Sequence, residues 1–344
     1  MSRTPTGRPG AVVAVLTVLV GLLMSACSAS GGAGGGSAGT AGTSAGSLTL
    51  YTSVTQQTVD AVVGGYQKAH AGRRVTVFRA PTGQLNARIA ADQRSGGLKA
   101  DVIWGTDPLS MQSYTDQHLL APWPLPALTS VPKKYRTDTF WGTRLLSLVI
   151  VAHKGLQPVP RSWADLTKKA YAGKVAIPDP AFAGSAFAAL GYFSTAPGMG
   201  MEFFRDLRAN GARQVASIPE VVTGVAQGRY QLGITLDSEA RAAQQKGSPV
   251  TLVWPKPGAI TFYSPIAMTT SGAPRAAAAA KDFIGYVLSV PGQQRIAQTG
   301  WQPVLAAVPG PPRPAGATSV FPDWSALFGH QQELLTQYRA SFIG

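Results

Sequence analysis

Residues 48–117 read LTLYTSVTQQTVDAVVGGYQKAHAGRRVTVFRAPTGQLNARIAADQRSGGLKADVIWGTDPLSMQSYTDQ, and three strand–helix units succeed one another within them. Leu48 to Tyr51 alternates apolar and polar as a strand does. Gln56 to His70 follows, with Val59, Val62, Val63 and Tyr66 at helical spacing on one face. Val75 to Arg79 is the second strand. Gln84 to Ser95 is the second helix, clustering Leu85, Ile89 and Ala90. Asp101 to Trp104 and Pro108 to Gln117 complete the third unit. Strands alternating with helices in this order predict an α/β fold with a largely parallel sheet.

Toward the C-terminus the pattern breaks and restarts. Leu145 to Ala152 is apolar except for Ser147, the signature of a buried strand. Strand Val175 to Ile177 comes next, then helices from Ser185 and from Met199 to Ala209. Ser217-Ile-Pro-Glu220 has capping-box spacing and predicts a helix reaching Gln227. Strand Gln231 to Leu236, helix Ser238 to Gln245 and strand Val250 to Trp254 follow. Thr261 to Met268 precedes helices over Pro274 to Leu288 and Gly292 to Gln298, a proline-rich connector at Pro309 to Pro314, and a last helix over Gln331 to Phe342.

Toward the N-terminus the texture changes completely. Ser28 to Ser47 is almost entirely Gly, Ala, Ser and Thr, which cannot bury enough apolar surface to offset ordering and predicts a flexible tether. Within it, Gly42-Thr-Ser-Ala-Gly46 matches a nucleophile elbow and Gly34 to Gly39 matches GxGxxG. Neither lies between a strand and a helix, so both are accidents of composition. Before the tether, Arg3 and Arg8 precede the apolar run Ala11 to Met24, the layout of a signal segment over residues 1–26. Met24-Ser-Ala-Cys27 closes it and resembles a bacterial lipobox, with Met24 where leucine is usual. Cys27 is the only cysteine, so an internal disulfide is impossible, and lipidation accounts for an otherwise exposed thiol. The expectation is an extracytoplasmic protein held to the cell membrane by a lipid on Cys27.

Lys and Arg number 30 against 16 Asp and Glu, a balance of +14 that becomes +12 without Arg3 and Arg8. The charges are scattered. Only Arg73-Arg74, Lys133-Lys134 and Lys168-Lys169 pair up, and no basic stripe with interleaved aromatics marks a nucleic-acid binder. A positive secreted chain remains compatible with an anionic solute.

The order of segments resembles the type II periplasmic-binding-protein family, in the branch of ferric-ion, thiamine, polyamine and phosphorylated-solute receptors. The likeness rests on Leu48-Thr-Leu-Tyr-Thr-Ser53, Ala100-Asp-Val-Ile-Trp-Gly105, Ser162-Trp-Ala-Asp-Leu166 with Tyr171-Ala-Gly-Lys-Val175, and Ala278 to Gly300 with Phe283, Leu288, Pro291-Gly-Gln293 and Ile296. It spans roughly residues 48–305 and implies a two-lobed α/β fold with two chain crossovers forming a hinge, near Ser147 to Ala152 and Gly258 to Phe262. The expected organisation is a signal segment over 1–26, a tether over 27–47, the first part of lobe 1 over 48–147, lobe 2 over 148–261, and the second part of lobe 1 together with the C-terminal helices over 262–344. The function implied is that of a substrate-binding lipoprotein, working as a monomer with the permease and ATPase subunits of an ABC importer.

In parallel α/β sheets, solutes bind beyond the carboxyl ends of strands, where helix N-termini present unpaired N–H groups. Candidate ligand-binding residues at such places are Ser53, Thr82, Gly83, Trp104, Gly105, Thr106, Gly184 and Ser185, with Ser147, Asp237 and Tyr263 added from the hinge and second half. Each Ser or Thr could equally be a routine cap, Asp237 either a partner for a ligand ammonium or a cap, and Trp104 and Tyr263 either pocket walls or core. Ferric-binding members of the branch carry adjacent tyrosines where this chain reads Asp237-Ser-Glu239. His70, His118, His153 and His330 lack metal-ligand spacing, so neither a metal nor a cofactor is expected. The preferred ligand is a small anion or zwitterion, phosphate- or phosphonate-like, with Asp237 holding an amino group. The alternatives are a ferric-ion or other cation receptor of the same fold, a secreted hydrolase, and a structural envelope lipoprotein. No HExxH or properly placed GxSxG supports the hydrolase.

Overall fold

The computed structural model describes residues 46–123 and 131–344; the signal segment, Cys27 and the tether up to residue 45 lie outside them. The three units at the start form as read: β1 (Ser47–Thr52), α1 (Gln56–Ala69), β2 (Arg74–Arg79), α2 (Thr82–Arg94), β3 (Val102–Trp104) and α3 (Pro108–Asp116). α1 buries Val59, Val62, Val63 and Tyr66, the face expected from their spacing. β1 pairs in parallel with both β2 and β3.

β4 (Trp141–His153) then carries the chain across the molecule. The second set comprises β5 (Val175–Pro178), α4 (Gly184–Thr195), α5 (Glu202–Ala209), β6 (Arg213–Val215), α6 (Ile218–Ala226), β7 (Leu232–Leu236), α7 (Asp237–Gln245) and β8 (Val250–Val253). β5 pairs in parallel with β6 and β7. β9 (Ala259–Met268) returns the chain, followed by α8 (Ala273–Val287), α9 (Val290–Gln298), β10 (Gln302–Pro303), β11 (Ser319–Val320), α10 (Trp324–Leu327) and α11 (Gln331–Tyr338), which ends in a π-helical turn, Arg339–Ile343.

The strand order is β2-β1-β3-β9-β4-β7-β5-β6. Two parallel half-sheets are thus joined by the antiparallel pair β4 and β9, with β3 antiparallel to β9 and β7 antiparallel to β4. Every residue of β9 is buried, and only Leu145 and His153 of β4 are not. Strands covered on both faces read as continuous apolar runs, which is why Leu145 to Ala152 was legible. The result is a two-lobed α/β fold of the type II periplasmic-binding class.

One local expectation changes. Among the described residues Ser217 makes no side-chain cap bond, while Glu220 reaches back and accepts the Ala216 N–H at 3.0 Å. The reciprocal capping box instead forms between Ser162 and Asp165. The C-terminal helices bridge the two sets of elements: α11 lies against both α3 and α4, and the π-helical turn against α5. Aromatic burial drives this docking, since Tyr338 meets Phe204 edge-on at 5.0 Å and stacks with Phe342 at 5.6 Å.

Candidate functional site

A cavity of about 300 Å³ lies between the lobes, lined from both. Helix N-termini surround it. Thr55 precedes α1, Pro81 and Thr82 open α2, and Thr106 stands before the Asp107 cap of α3. From the second lobe come Ala183, Gly184 and Ser185 at α4, Ser217, Ile218 and Pro219 at α6, and Leu236 and Glu239 at α7. The first N–H groups of each helix have no partner within the helix and carry partial positive charge, so the wall favours an anion.

Two arginines add full charges. Arg79 stands at the exposed edge, its Nε donating to the Val54 carbonyl at 3.1 Å. Arg144 is different: it is 1% exposed, and its Nε and Nη1 have no hydrogen-bond partner among the described residues. Its Cζ lies 4.1 Å from the centre of the Trp301 ring. Burial pulls the guanidinium down to about 9, with Glu239 acting in the opposite direction. Removing an ion from water costs several kcal/mol even after relaxation, and one cation–π contact returns about 2 kcal/mol. The deficit matches a site built to receive a negative group.

Local structure explains how Arg144 reaches the cavity. The pairing of β4 with β9 shifts register between Gly142 and Arg144, leaving Thr143 as a bulge. Bulges re-aim the side chains that follow them. Three hydrogen bonds hold this one: Trp104 Nε1 donates to Thr143 Oγ1 at 2.9 Å, Thr143 Oγ1 donates to the Ser264 carbonyl at 2.8 Å, and Gln293 Nε2 donates to the Thr143 carbonyl at 2.8 Å. From there the two-residue period of a strand puts Arg144 and Leu146 on the cavity side.

Of the sequence-derived candidates, Ser53, Thr82, Thr106, Gly184 and Ser185 line the cavity together. Ser53 and Thr106 join through their hydroxyls at 2.9 Å. Gly83 sits where the lobes touch, donating its N–H to the Phe182 carbonyl at 3.1 Å. Gly105 is a strand-end contact that donates to the Pro265 carbonyl at 2.8 Å. The other four lie elsewhere. Trp104 is fully buried behind the bulge. Ser147 and Tyr263 fall on the strand face opposite Arg144 and Leu146; Ser147 pairs with Thr261 across the sheet, and Tyr263 packs against Tyr135 at 5.7 Å. Asp237 is engaged in an ion pair with Arg241, whose Nη2 donates to the Gly300 carbonyl at 3.0 Å.

Sequence reading missed Arg79, Arg144, Glu239 and Trp301. An arginine one residue before an apolar run was the available signal for Arg144. Trp301 had none, because it reaches the cavity from a segment more than 150 positions away in the chain.

The lobes meet at two glycines. A Cβ on Gly184 would collide with Asp107 Oδ2 and lie 2.8 Å from Thr82 Oγ1; one on Gly83 would lie 2.9 Å from the Ala181 carbonyl oxygen. Asp107 is fully buried and accepts from the Ser110 N–H at 2.8 Å, while burial pushes its carboxyl up to about 7 against that bond.

Comparison with known proteins agrees with this architecture. Residues 48–302 match the sequence profile of a family described as bacterial extracellular solute-binding protein. An uncharacterized protein from Haemophilus influenzae is 24% identical over 261 residues, covering 72% of this chain and 74% of that one. Among solved structures, the periplasmic binding protein AfuA from Actinobacillus pleuropneumoniae, with fructose-6-phosphate bound, superimposes with a TM-score of 0.76 at 19% identity, covering 87% of this chain and 99% of its own. Iron-bound HitA from Pseudomonas aeruginosa gives 0.73 at 18% identity, covering 86% and 99% respectively. The ferric binding protein from Campylobacter jejuni gives 0.73 at 16% identity with the same coverage.

Proposed function

We infer, for a chain that belongs to the bacterial extracellular solute-binding protein family, that the cleft captures a small anionic or zwitterionic solute, with phosphate- or phosphonate-bearing solutes favoured. As a substrate-binding protein of an ABC importer, it acts outside the cytoplasm and hands its solute to the permease and ATPase subunits.

The buried Arg144, with two donor nitrogens beside the cavity that no described residue partners, carries the inference. A compact oxyanion would satisfy that guanidinium in a charge-assisted bond. The surrounding helix N-termini each contribute roughly 0.3–1 kcal/mol toward an anion, more where partly buried. Ser53, Thr82, Thr106, Ser185 and Ser217 add hydroxyls around the same space. That density of donors suits a group with several acceptor oxygens, and AfuA with its sugar phosphate offers a parallel. The lining holds no tyrosine or histidine among the described residues, so it does not favour a ferric site of the tyrosine type.

The same reading includes a hinge at the two crossings, near 147–152 and 258–262, and a lipid anchor on Cys27 with residues 28–47 as its tether. Mass spectrometry of solute released from the unfolded, freshly purified protein tests the ligand class. A melting-temperature panel tests it independently. Ligand at a hundred times its Kd adds about 2.7 kcal/mol of stability, a shift of several degrees. A shift with ferric citrate or a neutral sugar, and none with any phosphate or phosphonate, would overturn the inference.

A further inference from the structure

The sequence assigned an amino-recognising role to Asp237, but that carboxylate is already taken by Arg241. Two positions on, Glu239 lines the cavity with a carboxylate that has no hydrogen-bond or ion-pair partner among the described residues. It lies close enough to Arg144 for the two charges to influence each other, yet they do not meet in an ion pair. Burial raises the Glu239 carboxyl above the ordinary range, opposed by Lys246 and Arg144.

We propose that Glu239 and Arg144 form a bipolar reader, which selects oxyanions carrying a hydrogen-bond donor, an amino or hydroxyl group, close to the acidic group. The proposal rests on the anionic-solute reading above. Arg144 offers only donors and a carboxylate only acceptors. A fully deprotonated oxyanion only accepts and cannot satisfy both; a ligand spanning the gap must present an acceptor to one and a donor to the other. A plain anion would satisfy Arg144 while leaving Glu239 desolvated beside a second negative charge, which penalises it. A donor-bearing ligand removes that penalty, so discrimination arises from the group left unpaired as much as from the bond gained.

Glu239 also sits in the first turn of α7, where any carboxylate favours the helix dipole. That role alone predicts a change in stability without a change in selectivity, which separates the two explanations. The test uses full-length protein and matched ligands: ethylphosphonate, 2-hydroxyethylphosphonate and 2-aminoethylphosphonate, with sulfate, which carries no proton at neutral pH, as the plain anion. Calorimetry on the wild type should show the donor-bearing members binding at least tenfold tighter than ethylphosphonate. In Glu239→Gln that preference should collapse for the amino ligand, with affinity for sulfate kept or improved. Glu239→Asp, a shorter carboxylate, should restore part of it and controls for folding. Equal affinity for ethylphosphonate and both donor-bearing ligands, or a Glu239→Gln effect uniform across the panel, would overturn the reader and leave the anionic reading standing. If no anion binds wild type at all, the anionic reading itself fails.

Discussion

The Arg144 guanidinium lies against the Trp301 indole, 4.1 Å from Cζ to ring centre, and these residues come from elements far apart in the chain. The indole shields one face of the cation and donates nothing to it, so Nε and Nη1, unpartnered among the described residues, stay open to a ligand. Trp301 follows Gly300, whose carbonyl accepts from Arg241, and Arg241 is fixed by Asp237. Asp237 therefore acts on the cavity indirectly, by positioning the loop that carries the stack.

Replacing Arg144 with Met should separate binding from stability. Met has similar length and no charge to desolvate, and even a buried ion pair exchanged for apolar residues of similar volume is often neutral or stabilising by about 1–4 kcal/mol. The expected result is a melting temperature equal to or above wild type, with affinity for oxyanions reduced at least a hundredfold. A variant that binds as well as wild type would remove Arg144 from the site.

Gly184→Ala should weaken closure of the cleft. Neither Gly83 nor Gly184 has a positive φ, so their value is the space a side chain would occupy against the opposite lobe. Alanine opening α4 is a good helix former, and the ligand-free stability should stay within about 1 kcal/mol of wild type. Affinity should drop roughly 10–100-fold, chiefly through faster dissociation, as is usual for changes at a binding interface. Stopped-flow release of bound ligand checks this, and unchanged kinetics would show that the bound state does not use this contact.

Asp107 should make stability depend on pH. Its folded pKa of about 7 lies above the ordinary value of 3.8. The protonated form is thus favoured by folding: the contribution is complete below about pH 4 and is lost as pH rises through about 7. Asp107→Asn keeps an acceptor for the Ser110 N–H but does not titrate. The melting temperature of the variant minus that of wild type should grow from pH 4 to 7 by a few degrees and level off above. A difference that is flat across that range would contradict the assignment.

Cys27→Ala should release the protein from the membrane fraction and abolish incorporation of labelled fatty acid, with ligand affinity unaltered. Intact-mass measurement of the wild type should show the acyl addition. An unacylated wild type that still fractionates with membranes would reject the anchor.

The repeated strand–helix periodicity and the apolar run of β4 were enough to specify an α/β fold with a largely parallel sheet, because hydrophobic period is set locally and each element declares its buried face within a dozen residues; the two lobes followed from the resemblance of the segment order to the type II periplasmic-binding-protein family. Cavity residues at helix starts, such as Thr82 and Ser185, were legible for the same reason: a helix N-terminus is a local feature with a known place in a parallel sheet. The rest of the site was settled by tertiary structure. A one-residue bulge at Thr143 sets the phase of β4, placing Arg144 and Leu146 toward the cavity and Ser147 away from it, and only the pairing with β9 reveals that bulge. Asp237 and Glu239 look interchangeable in the sequence, but Arg241, one helical turn after Asp237, takes the first and leaves the second open. Trp301 joins Arg144 through a fold that returns the chain after α9. Which side chain meets which across such distances depends on register and packing summed over the whole molecule, and no local pattern encodes it.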